Sequence, residues 1–80
     1  MYKNKNGSRN NITGVAIKEL RLLQEPRMSQ RALADLMQLE GIDLDKNAIQ
    51  RIESGGRFIT DIELIAFSRV FNVAVEDLYK

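Results

Sequence analysis

The chain has no cysteine, no histidine and no tryptophan, and it carries a single proline and five aromatic residues among its 80. Without cysteine there is no disulfide framework, and without histidine as well, zinc sites of the Cys/His kind are excluded, so stability has to come from packing. No apolar run approaches the roughly 20 residues that a membrane span requires. The opening MYKNKNGSRNN also lacks the apolar segment of a secretion signal. The expectation is a cytoplasmic protein that does not engage a membrane. The sequons Asn6-Gly7-Ser8 and Asn11-Ile12-Thr13 then read as turn and capping chemistry rather than as glycosylation acceptors. A chain this short builds one core and shelters no sizeable pocket. With no glycine-rich phosphate loop either, no enzyme activity and no cofactor are expected.

Net charge is only +1, but it is unevenly spread: residues 1–31 hold seven Lys or Arg against two Glu, and residues 32–80 hold five against nine acids. One end is distinctly basic. Residues 1–11 are polar and show no apolar periodicity, which predicts a flexible basic arm ahead of a domain over residues 12–80. Within that arm Lys3, Lys5 and Arg9 are candidates to follow a DNA backbone or minor groove.

Helical spacing organises the rest. A first helix is expected over about 13–24 with Ala16, Ile17 and Leu20 inward, stopped by Pro26. Ser29 caps a second helix that runs to about Glu40 with Leu33, Leu36 and Met37 apolar. Gly41 supplies the left-handed residue that ends it, and Ile42 folds back. Asp45 caps a third helix, with Ile49 and Ile52 inward, that ends at Gly55-Gly56. Thr60 and Glu63 form a capping box for a fourth helix. The apolar residues Ile62, Ile65, Ala66, Phe67 and Val70 cover more than one stripe of it, predicting the most buried helix and the hub of the core. A turn at Asn72 leads to a short fifth helix over Glu76 to Tyr79. Phe58, Leu78 and Tyr79 are available either to the core or to a dimer contact.

On the third helix the residues left outward are Lys46, Asn47, Gln50 and Arg51, whose donors and acceptors suit base edges in the DNA major groove. Two short amphipathic helices joined by a polar turn, the second with such a face, point to a helix-turn-helix reader of double-stranded DNA. Asp43, Asp45 and Asn47 also stand at the first three ligand positions of a calcium loop. Ala48 replaces the required glycine and Ser54 the closing acid, so no metal site is assigned.

Four segments, IKELR (17–21), SQRALADLM (29–37), NAIQRIESG (47–55) and TDIELIAFSRVFNVAVEDL (60–78), together resemble the Cro/repressor-type helix-turn-helix family, also called XRE-like or lambda-repressor-like. The resemblance implies an all-α fold, a compact five-helix lambda-repressor-like domain. It also implies a transcriptional regulator, most simply a repressor that binds an inverted-repeat operator as a homodimer. It assigns base reading to Lys46, Asn47 and Arg51 with Gln50 at the rim, and phosphate contacts to Gln30, with Arg31, Arg27 and Arg57 completing the phosphate set. Arg21 and Glu53 become a structural ion pair between the first and third helices. The chain departs from the family pattern in four respects. Gln38 stands where a glycine usually ends the second helix, the Ser29–Glu53 interval is about five residues long for the family, and the loop at Pro26 and Arg27 is about two residues longer. Ala48 also replaces a usual hydroxyl residue, leaving a methyl that can touch thymine. A protein-interaction module, antitoxin-like or adaptor, with a partner such as a toxin, is the alternative in another class.

Overall fold

N-cap side chains start three of the helices, and left-handed residues end the same three. In the computed structural model, which describes residues 7–79, α1 spans Gly14–Leu22, α2 Gln30–Leu39, α3 Lys46–Ser54 and α4 Asp61–Phe71. A short 310 helix, Val75–Tyr79, follows. No strand occurs among the described residues. Ser29 accepts from the Ala32 amide at 3.0 Å and Asp45 from the Ala48 amide at 2.8 Å. Thr60 and Glu63 exchange bonds in both directions. Each satisfies an amide that the first turn of a helix leaves without an intrahelical partner. At the other ends Gly41, Gly55 and Asn72 take positive φ. In each case the next residue's amide bonds back across the turn: Ile42 to the Met37 carbonyl, Gly56 to Arg51, Val73 to Ser68. These are Schellman closures.

The core gathers Ile17 from α1, Leu33, Ala34 and Met37 from α2, Leu44 from the connector, Ile49 and Ile52 from α3, Ala66 and Phe67 from α4, and Leu78. Full burial of a side chain the size of Phe67 contributes about 1.5–3 kcal/mol. α3 packs against both α1 and α2, whereas α4 packs against α2 and the 310 helix. The middle of the domain is therefore α3, and the expectation that α4 is the hub is corrected. Ile62 and Ile65 are 66% and 46% exposed. The cause lies in Glu63: it is buried to serve the capping box and to meet Arg57, and this turns its neighbours outward.

Two further expectations change. Leu78 is 1% exposed and belongs to the core, so of the three residues considered for a dimer contact only Phe58 and Tyr79 remain at the surface. The fifth helix is a 310 turn rather than an α-helix. Of the arm expected over residues 1–11, Lys3 and Lys5 lie outside the described residues. Arg9, Asn10 and Asn11 do not project from the domain: they pack onto the end of α3, and Asn11 is buried.

Candidate nucleic-acid interface

At about 100° per residue, Lys46, Gln50, Asn47 and Arg51 occupy roughly 140° of the α3 circumference. All four are exposed. Ile49 and Ile52, on the opposite side, are fully buried, and Glu53 beside them is buried too. No hydrogen bond or ion pair holds any of the four outward side chains to another described residue. They present amide, ammonium and guanidinium groups to the surroundings.

The support of α3 is concentrated at Glu53. Arg21 Nε donates to Glu53 Oε2 at 2.7 Å and Nη2 to Oε1 at 3.0 Å, while Nη1 reaches the Met28 carbonyl at 2.9 Å. The two side chains are only 9% and 3% exposed. Gln30 Nε2 adds a third donor to Oε1 at 3.0 Å. One carboxylate thus joins α1, α2 and α3, and its charge is matched by a guanidinium and an amide, which a buried ion requires.

Gln30, which the resemblance assigns to a phosphate, is half-buried in this structure. Its side-chain nitrogen is used inside the domain, and what it offers at the surface is its place in the first turn of α2. That turn opens onto a recess lined by Arg21, Ser29, Gln30, Arg31 and Lys46. Helix N-terminal amides and flanking cations suit a phosphate oxygen. Arg31 and Arg27 are exposed and have no partner among the described residues. Arg57 differs: its Nη1 and Nη2 donate to Glu63 Oε1 and Oε2 at 2.9 and 2.8 Å, and Nη1 also reaches the Phe58 carbonyl. Those bonds hold the Glu63 carboxyl below its ordinary range and the guanidinium above its own. Arg57 thereby fastens the α3–α4 loop, with its guanidinium committed to Glu63.

Pattern reading missed the segment before α1. Asn11 Oδ1 accepts from the Gly14 amide at 2.8 Å, and its Nδ2 donates to the Ile52 and Arg57 carbonyls at 2.9 and 2.7 Å. Arg9 Nη2 donates to the Glu53 carbonyl at 2.9 Å, and the Asn10 amide to the Gly55 carbonyl at 2.8 Å. The only hint available in the sequence was the capping character of Asn11 ahead of Thr13 and Gly14.

The helix-turn-helix profile matches residues 17–78, from the inward face of α1 to the buried leucine of the 310 helix. The chain belongs to the Cro/C1-type, or XRE, helix-turn-helix family. This is a family of DNA-binding transcription regulators, typically non-enzymatic. No curated protein and no solved structure gives a match. In this member α2 runs straight through Gln38, and the turn comes three residues later at Gly41. Gln38 Nε2 donates to the Leu44 carbonyl at 3.2 Å, tying the longer connector to α2. Among the described residues no helix is long and apolar enough to cross a membrane, and no three Asp, Glu, His or Cys side chains are grouped as a metal site requires.

Proposed function

We propose that this helix-turn-helix protein is a repressor that binds an inverted-repeat operator as a homodimer, with α3 of each subunit in the major groove. The observation that carries the proposal is the division of α3 into a fully buried apolar side and a side where Lys46, Asn47, Gln50 and Arg51 are exposed and uncommitted. Asn pairs bidentately with adenine and Arg with guanine, which supplies discrimination of about 1–3 kcal/mol per contact. Arg31, Arg27 and the first turn of α2 take backbone phosphates and fix the register. One helix reads few base pairs, and two subunits on half-sites about 34 Å apart extend the site. Exposed Phe58 and Tyr79, which flank a shallow recess with Ile12, supply apolar area for the contact between subunits. Repression then follows from occupancy of the operator.

The test is selection of bound duplexes from a random-sequence pool at about 150 mM salt, where phosphate attraction alone is weak. Enrichment of an inverted repeat with half-site centres about 10 base pairs apart is expected. A folded protein that enriches no sequence would overturn sequence-specific operator binding and shift the weight to a protein partner.

A further inference from the structure

The carbonyls at the C-terminal end of an α-helix have no intrahelical donors, and the helix dipole places partial negative charge there. In α3 those groups are supplied from a segment more than 40 residues earlier in the chain. Arg9 donates through Nε to the Asn11 carbonyl at 3.1 Å. Through Nη2 it donates to Asn11 Oδ1 at 3.4 Å, to the Ile52 carbonyl at 3.4 Å and to the Glu53 carbonyl at 2.9 Å. Asn11 bonds the Ile52 and Arg57 carbonyls from the same side. Two glycines make room for this clip. A Cβ on Gly55 would lie 2.8 Å from Arg9 Cγ, and one on Gly14 would run into the Ile52 carbonyl oxygen.

The clip lies at the opposite end of α3 from Lys46 and Asn47, some 9 Å away along the axis at 1.5 Å per residue. Glu53 is therefore gripped twice, by Arg21 at its carboxylate and by Arg9 at its carbonyl. Ile49 and Ile52 seat α3 in the core, and the grip on Glu53 sets its rotation and tilt about that seat, so a small change at this end displaces the outward side chains. Hydrogen bonds to base edges weaken steeply with such displacement.

We propose that Arg9, braced by Asn11, is a positioning residue for base reading: it sets the orientation of α3, so operator discrimination depends on a side chain that touches no DNA. This rests on the DNA-binding function proposed above. It also gives the basic N-terminal segment a role other than attraction to phosphates.

The test compares the full chain with Arg9→Ala and Arg9→Lys, measuring affinity for the selected operator and for a scrambled duplex across a salt series. Arg9→Ala is expected to weaken operator binding at least about fivefold, the size of one lost base contact. Scrambled-duplex binding should change less than about twofold, and the slope of log affinity against log salt should be unchanged, since no counterion-releasing contact is lost. Arg9→Lys keeps the charge but has a single donor group in place of the fork. It should retain the slope and lose part of the discrimination, and it serves where the alanine variant does not fold. Equal losses on both duplexes with a slope shallower by about 0.9 would make Arg9 a phosphate contact and overturn the proposal. Parental behaviour in the lysine variant would overturn it as well. Amide exchange at Gly55 and Gly56, whose N–H groups close the end of α3 on the Ile52 and Arg51 carbonyls, tests the clip without DNA. Faster exchange in Arg9→Ala is expected, and unchanged exchange would overturn the clip itself. A parent that selects no operator defeats the DNA-binding function first, and the exchange result then still judges the clip.

Discussion

Arg21 and Glu53 meet side-on through two parallel bonds, Nε to Oε2 at 2.7 Å and Nη2 to Oε1 at 3.0 Å, with both side chains almost fully removed from water. Such a pair is expensive to break from one side, because the remaining charge keeps its burial and loses its partner. Glu53→Gln places an amide NH2 or a neutral oxygen against the guanidinium and is expected to cost on the order of 3 kcal/mol. In a domain of this size that corresponds to a fall in melting temperature of at least about 12 °C. A thermal melt within about 4 °C of the parent would show that the pair contributes little.

The Arg57–Glu63 pair carries a pH signature. Hydrogen bonding to Arg57 holds the folded-state carboxyl of Glu63 below its ordinary range, even though burial pushes the other way. The stabilisation is therefore fully present above the unfolded-state pKa of about 4.3 and is lost as pH falls from there through the lowered folded value. Arg57→Gln should be less stable than the parent in urea at pH 7, and the gap should close progressively below about pH 4. A gap that stays constant between pH 7 and pH 3 would assign the loss to packing instead.

Arg51→Ala and Arg31→Ala should separate the two kinds of DNA contact. Arg51→Ala is expected to relax preference at one base position by about 1–3 kcal/mol. Arg31→Ala should weaken all duplexes to a similar extent and make the salt dependence shallower by about 0.9 per lost contact. Exchanged outcomes in parallel binding titrations would exchange the roles.

Gly14→Ala sets two forces against each other. Helix propensity alone favours alanine over glycine by about 1 kcal/mol. Here, however, the added methyl meets the Ile52 carbonyl oxygen, a backbone atom that is itself bonded to Asn11 and Arg9. Overpacking of that kind costs about 1–3 kcal/mol, so net destabilisation is expected. A denaturation midpoint above that of the parent would mean that α1 and α3 can separate without loss.

The features legible in the sequence are those written locally. Ser29, Asp45 and the Thr60/Glu63 pair each act within three residues, and Gly41 and Asn72 act on the helix they end, so short patterns suffice. The outward face of α3 is equally local, because it lies within one turn of Ile49 and Ile52 on the other side of the same helix. The features that escaped depend on distant partners. Ile62 and Ile65 count as core by periodicity until Glu63 is seen to be drawn inward by Arg57. Arg57 itself resembles any basic surface residue until that carboxylate is placed beside it. The Arg9 and Asn11 clip joins side chains to backbone carbonyls about 40 positions away. Backbone carbonyls carry no sequence signature, so beyond the capping character of Asn11 nothing in the chain marked those residues off from a polar tail.

Four exposed side chains of α3 have no duty in holding the domain together: those of Lys46, Asn47, Gln50 and Arg51 bond to no described residue, and the helix is kept in place by Asp45, Ile49, Ile52 and Glu53. Under the proposed DNA-reading function, recognition and architecture are encoded at separate positions of the same nine residues. Substitutions at those four positions are screened by what the protein binds and not by whether it folds. A lineage carrying this domain can change its target through a few codons while the scaffold is left intact.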